Sequence, residues 1–301
     1  MTVTTLVLLP RGLDELADLP GVHPVYHQLG EPLTEHDLAA EVLVTLNDSV
    51  SEQLELAHQL PSLRLVQTLN AGTEQWEGRL PPGVALSNCR GAHGGSTAEW
   101  AVAALLAVYR QLISFAEQQA AGQWDGRVTE TLMGKRVLVL GAGDLGDALR
   151  VRLHAFGAHV TLVGRTARDG VQAMAQVPEL LGVHDAVVLV LPLTADTRNL
   201  VDAEFLARMA DSAVLVNAAR GAIVDTAALL AELGTGRLRA ALDVTEPEPL
   251  PAGHPLWSAP GVLITPHVGG FTEGRQERAW AVARAQLAAV GRGEAPANLV
   301  H

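Results

Sequence analysis

Short, nearly unbroken apolar runs alternate along this chain with stretches in which apolar residues return every three or four positions. Runs of the first kind suit strands buried on both faces of a parallel sheet, and the second spacing suits helices with one packed face. The amino-terminal runs are Leu6–Leu9, Val22–Tyr26, Val42–Leu46, Leu63–Leu69 and Val84–Asn88. A second series comprises Val137–Leu140, His159–Val163, Ala186–Leu191, Ala213–Asn217, Leu238–Val244 and Val262–Thr265. Helical spacing predicts a helix at Ser51–Leu60 with Ser51 as N-cap, and one through Leu145, Leu149, Leu153 and Phe156 that stops at Gly157. It also predicts an amphipathic helix over Gly274–Gly291. From Thr97 to about Gln119 the pattern predicts one long helix, apolar around much of its surface and expected to pack against another domain or subunit.

This rhythm predicts an α/β protein of two Rossmann-like or flavodoxin-like domains, doubly wound parallel sheets with a cleft between them. Residues 1–98 with 273–301 would form one discontinuous domain, and 99–272 the other. A length of 301 residues accommodates both cores. Lys plus Arg is 21 and Asp plus Glu 33, a formal charge of −12, which argues against nucleic-acid or anionic-membrane partners. Cys89 is the only cysteine, so no internal disulfide and no multi-cysteine metal site can form. The apolar start, Met1–Pro10, lacks a basic region and resembles no secretory leader, and Trp100–Val108 is too short to span a bilayer. A cytoplasmic location is expected.

The most specific motif is Gly141-Ala-Gly-Asp-Leu-Gly146, placed between a buried strand and a helix. In the dinucleotide fingerprint Gly141 permits the tight turn, Gly143 admits a pyrophosphate to the backbone and Gly146 lets helix and strand approach. The helix N-terminus, opening at Asp144 and Leu145, offers N–H groups to the phosphates. An NAD site usually carries an acid at the end of the second strand to bind the ribose hydroxyl. Here that strand ends Gly164-Arg165-Thr166, with no carboxylate before Asp169. Arg165 and Thr166 suit a 2′-phosphate, with Arg168 nearby, so NADP is favoured over NAD; two solvated surface arginines are the other reading. Polar residues also follow later strands: Asn217 to Gly221 with Arg220, Asp243 to Pro249 with Glu246 and Glu248, and Pro266 to Gly270 with His267. In the first domain, Asn70-Ala71-Gly72 and Asn88 to Gly95 lie beyond strand ends, where open sheets bind ligands or simply turn.

Taken together, Gly141–Gly146, Leu191–Leu200, Asn217–Gly221, Ala241–Leu250 and Thr265–His267 resemble the D-isomer-specific 2-hydroxyacid dehydrogenase family in its order. The resemblance implies reduction of a small 2-keto acid, such as glyoxylate or hydroxypyruvate, by a homodimer. It implies catalytic roles for Arg220, Glu248 and His267, with Glu248 five positions after Asp243. It further implies that the Asn70-Ala71-Gly72 turn offers N–H groups to the substrate carboxylate. Asp243 would face the nicotinamide amide, and Thr97, Pro192 and Gly269 would line the cofactor site. Two departures stand out: Gly164 in place of the family's NAD-selecting Asp, and a glycine-rich His93-Gly94-Gly95 loop beside the expected substrate site. A family branch that oxidises formate carries Gln where this chain has Glu248. The alternative is a dinucleotide-sensing binding protein on the same fold without turnover.

Overall fold

The computed structural model describes residues 4–11, 18–46 and 49–300. Met1 to Val3 of the apolar start lie outside the described residues. The chain forms two compact units, Met1–His93 with Glu273–His301, and Gly94–Thr272. The division falls after His93, five residues ahead of the boundary suggested by sequence, because the helix starting at Gly94 packs on the helix Asp144–Ala155 and the strands Val214–Asn217 and Arg239–Leu242 of the second unit.

The first unit holds strands β1 (Thr5–Pro10), β2 (Val22–His27), β3 (Val42–Thr45), β4 (Leu65–Thr68) and β5 (Ala85–Ser87). All pair in parallel, in the order β2-β1-β3-β4-β5. Helix α1 (Glu35–Leu38) follows β2, and α2 (Val50–Gln59) follows β3. Adjacent strand residues point to opposite faces, so Val7, Val42 and Leu65 join one apolar cluster while Leu8, Leu43 and Val66 join the other. Ser51 does not cap α2; the helix starts one residue earlier at Val50, preceded by Ser49 in the left-handed region without a side-chain capping bond. Cys89 is buried, its thiol donating to the Ala279 carbonyl at 3.3 Å; burial pushes its pKa up to about 12, which keeps it un-ionised at neutral pH.

In the second unit, α3 (Gly94–Tyr109) and α4 (Leu112–Ala120) precede β6 (Arg136–Leu140) and α5 (Asp144–Ala155). Then come β7 (His159–Gly164), β8 (Val171–Ala173), α6 (Val177–Leu180), β9 (Ala186–Leu189), α7 (Ala203–Arg208), β10 (Val214–Asn217), α8 (Thr226–Thr235), β11 (Arg239–Leu242) and β12 (Val262–Ile264). The seven strands are parallel, ordered β12-β11-β10-β9-β6-β7-β8. Val137 and Val139 face α3 and α5, whereas Leu138 and Leu140 join the cluster containing Leu206 of α7 and Leu229 of α8. The last helix, α9 (Arg275–Gly291), belongs to the first unit, where Trp280 and Leu287 enter the cluster with Val7 and Val42.

The expected single helix over 97–119 is two helices bent by 65°. Gln111 takes φ +53° and breaks the hydrogen-bond ladder, although the sequence holds neither Gly nor Pro there. No single helix among the described residues is long and apolar enough to cross a membrane. Helix α3 buries Ala101, Leu105 and Tyr109, while no residue of α4 is buried. The segment after α4 is anchored by Glu130, whose carboxylate accepts from Lys135 Nζ and Arg239 Nη1, each at 2.7 Å. Both cations lie over the Tyr109 ring, 5.0 and 5.3 Å from its centroid.

Burial alone pushes the Glu130 carboxyl up, but the hydrogen bonds and charges of Lys135 and Arg239 outweigh it and hold it below its ordinary 4.5. A carboxyl held down by folding stabilises the protein above its unfolded pKa, and that contribution is lost as pH falls through the folded value. Glu130→Gln should therefore lower the thermal midpoint at neutral pH, with the deficit shrinking once the pH drops below 4.5. Thermal melts of both proteins across the acid range check this; a constant deficit would refute it.

Candidate active site

The second sheet grows outward in opposite directions from the neighbouring strands β6 and β9, and their carboxyl ends bound the crevice where such sheets take ligands. The glycine turn sits there. Gly141 adopts φ +125°, and a Cβ on it would stand 2.5 Å from the Val190 carbonyl oxygen. A Cβ on Gly146 would overlap the Gly141 carbonyl, so α5 can approach the strand only without one. Gly143 instead faces open space, with no atom within 4 Å of where a Cβ would lie. Helix α5 begins beside that opening at Asp144 and Leu145, and the N–H groups of a first helical turn lack intrahelical acceptors. Backbone open on one side and a helix N-terminus on the other fit a pyrophosphate.

At the end of β7, Arg165 and Thr166 are exposed. Arg168 folds back and donates from Nη2 to the Ala142 carbonyl at 2.5 Å, tying this corner to the glycine turn. Cationic and hydroxyl donors without a carboxylate fit a phosphorylated ribose better than a free hydroxyl pair. Pro192 follows β9 on the same edge, its carbonyl accepting from Thr197 Oγ1 at 2.8 Å. The His93-Gly94-Gly95 segment is not a free loop at its glycines: Gly94 and Gly95 open α3. A Cβ on Gly94 would overlap the Asp144 carboxylate, so the glycine lets the starts of α3 and α5 meet.

The carboxyl ends of β10, β11 and β12 carry the candidate catalytic residues. Asn217 organises the first loop: Nδ2 donates to the Arg220 carbonyl at 2.9 Å and Oδ1 accepts from Ala219 N at 3.0 Å. Arg220 donates from Nη1 to the Ala219 carbonyl at 2.7 Å. The next residue, Gly221, passes so close to the Thr245 carbonyl that a Cβ would overlap it, which packs the Arg220 loop against the acidic loop. That acidic loop is held by Thr226 Oγ1 donating to the Glu246 carbonyl at 2.9 Å and Thr245 Oγ1 donating to the Pro247 carbonyl at 2.8 Å. Beyond β12, His267 Nδ1 lies 2.6 Å from Glu248 Oε1, with the two side chains 49% and 39% exposed. A carboxylate on Nδ1 orients the ring and leaves Nε2 as the nitrogen able to deliver a proton outward.

Asp243 is buried beneath this loop, and its carboxylate accepts from Thr265 Oγ1 and from the N–H groups of Val268 and Gly269. Thr97 closes the same spot: a Cβ on Gly269 would sit 3.4 Å from Thr97 Cγ2 and 2.8 Å from Asp243 Oδ2. The positioning threonines Thr226, Thr245 and Thr265 escape a reading of the sequence, because nothing in the local pattern shows what their hydroxyls will meet once the loops pack. In the first unit, the Asn70-Ala71-Gly72 turn follows β4; Asn70 O accepts from Cys89 N at 2.9 Å and Ala71 O from Asn88 Nδ2 at 2.9 Å. The N–H groups of Ala71 and Gly72 have no partner among the described residues.

A fingerprint turn at the switch point, with a His–carboxylate pair on the same sheet edge, defines a dinucleotide-binding unit. The family model for the NAD-binding domain of D-isomer specific 2-hydroxyacid dehydrogenases matches residues 102–269. The chain belongs to this family. It is 32% identical over 310 aligned positions to a glyoxylate/hydroxypyruvate reductase B from Escherichia fergusonii, covering 98% of this chain and 94% of the relative. It is 32% identical over 278 positions to a glyoxylate reductase from Thermofilum pendens, covering 86% of this chain and 80% of that one. Among solved structures, a D-isomer specific 2-hydroxyacid dehydrogenase from Xanthobacter autotrophicus, in complex with NADPH and MES, superposes with a TM-score of 0.84 at 30% identity, over 99% of this chain and 98% of the other. An NADPH-dependent glyoxylate/hydroxypyruvate reductase from Sinorhizobium meliloti, in complex with NADP and sulfate, gives 0.81 at 26% identity, over 99% and 98%.

Proposed function

We propose that this protein reduces a small 2-keto acid, of the size of glyoxylate or hydroxypyruvate, to the D-2-hydroxy acid, with NADPH preferred and NADH possible. The observation that carries the reading is the 2.6 Å contact of His267 Nδ1 with Glu248 Oε1 on the edge that also bears the glycine turn. The bound nicotinamide supplies the hydride. As hydride reaches the carbonyl carbon, charge develops on the oxygen, and His267 delivers its Nε2 proton there while Glu248 stabilises the ring's positive charge. Arg220 holds the substrate carboxylate and polarises the carbonyl. The Ala71 and Gly72 N–H groups serve the substrate carboxylate, and Arg165 with Thr166 the 2′-phosphate. A binding protein without turnover has no use for an assembled His–carboxylate pair, which places that alternative second. The direct test is loss of NADPH absorbance with a panel of 2-keto acids; no turnover with any of them would refute the reading.

The partner proposed is a second copy of the chain, in the cytoplasm. Helix α4 leaves Leu112 and Ile113 exposed, and the following segment projects Trp124 at 103% and Val128 at 97% relative exposure. Apolar side chains so placed on one stretch are suited to burial between copies. Light scattering should give twice the chain mass of 31.7 kDa, and Trp124→Glu should shift the protein toward monomer. A monomer at all concentrations would refute the proposal.

A further inference from the structure

His267 has φ +55°, in the left-handed region that a side chain other than glycine's occupies only where its surroundings hold it. The holding group is Asp243, buried at 3% exposure just past β11. Its main-chain oxygen accepts from His267 N at 2.7 Å. Its Oδ1 accepts from Thr265 Oγ1 at 2.6 Å and from Val268 N at 2.9 Å, and its Oδ2 from Gly269 N at 2.8 Å. Donors before and after His267 are therefore gathered on one residue; Pro266, between them, has no N–H to give. An ionised carboxylate offers about four acceptor sites, so Oδ2 retains capacity for a further donor such as a carboxamide. Charge-assisted bonds to a buried carboxylate are among the stronger ones a loop can use.

We infer that Thr265 is a positioning residue for the reaction: with Asp243 it sets the backbone of His267, and thereby the direction from which the Nε2 proton reaches the substrate oxygen. This rests on the proton-delivery role proposed for His267 and adds how that role is made geometrically reliable. Glu248 fixes the ring about its own plane through Nδ1, while the Asp243–Thr265 brace fixes the main chain from which the ring hangs. The two contacts act on different freedoms, one on the ring and the other on the main chain that carries it. Of the two brace residues Thr265 is the one to alter, because Asp243 is also assigned to the cofactor.

Thr265→Val replaces the hydroxyl by a methyl of the same shape and leaves Oδ1 with Val268 N alone. Small misplacements of a reacting group cost up to ~10²-fold, so kcat should fall ~10- to 10²-fold. The keto-acid KM and the Kd for NADPH, read by quenching of protein fluorescence, should stay within about twofold, since neither ligand loses a contact. The solvent deuterium isotope effect on kcat should rise, because the proton step becomes slower relative to the rest. Thr265→Ser, which restores the hydroxyl, should restore both kcat and the isotope effect. Wild-type kcat and isotope effect in Thr265→Val would overturn the inference. So would a loss of kcat matched by a loss of NADPH-binding protein, with the isotope effect unchanged. His267→Ala measured in parallel separates the two readings. Full turnover without the imidazole would remove the proton-delivery role on which the inference rests, whereas an inactive His267→Ala beside a normal Thr265→Val removes only the brace.

Discussion

His267→Ala should lower the turnover of a 2-keto acid by ~10²–10⁴-fold, the range typical for removing a general acid or base. The substitution deletes the only side chain in hydrogen-bond contact with Glu248 Oε1 among the described residues, and with it the Nε2 donor. Glu248 does not take its place, because its carboxylate meets the ring at Nδ1 and not at the Nε2 donor. The loss should appear in kcat more than in the KM for the acid, since the proton is transferred only as the oxygen becomes negative. The glycine turn is untouched, and the variant should bind NADPH as the parent does. Steady-state reduction rates with each active keto acid check this; a variant that reduces them all at near-parental rates would show that the proton comes from elsewhere.

Arg165→Asp should move the cofactor preference, expressed as the ratio of kcat/KM for NADPH over NADH, by about 10²-fold or more toward NADH. Hydrogen bonds to charged groups contribute about 1.5–3 kcal/mol each, and the new carboxylate adds repulsion against a 2′-phosphate while accepting from a ribose hydroxyl. Two features make this corner suitable for the exchange. Arg165 is exposed, so no core packing depends on it, and Arg168 remains tied to the Ala142 carbonyl, so the turn keeps its support. Parallel titrations of the two cofactors at saturating acid give the ratio. A parent protein that already favours NADH would contradict the assignment, whatever the variant does.

The central parallel strands were legible because they are buried on both faces and therefore read as apolar runs, Val137–Leu140 and Ala186–Leu189 most clearly. The glycine turn was legible because each of its glycines answers a different steric demand, two set by neighbouring carbonyls and one by open space. Short elements were not: α1 has only the reciprocal Thr34–Asp37 cap to mark it, and β8 is three residues at a sheet edge. The bend at Gln111 was illegible for a different reason, since the residues on either side have ordinary helical character and neither Gly nor Pro marks the break. At the site, Glu248 and His267 could be named from motif order, but the carboxylate of Asp243 could not be seen to gather Thr265, Val268 and Gly269. Those contacts join residues more than twenty positions apart, mostly through backbone N–H groups that every amino acid but proline carries. Gly94 read as part of a loop, for a ligand or a simple turn, whereas it opens α3 beside the Asp144 carboxylate.

One face of the first sheet is covered by α9, and the Leu299 region lies antiparallel beside Ser87 of β5. During synthesis these closing pieces emerge only after the whole of Gly94–Thr272 has been made. The second unit can thus complete its core while the chain is still growing, but Val7, Val42 and Leu65 must wait, apolar and uncovered, until α9 has been made. Newborn chains stalled or cut before Glu273 would carry a finished nucleotide fold beside a half-covered sheet, the species most inclined to aggregate or to be degraded.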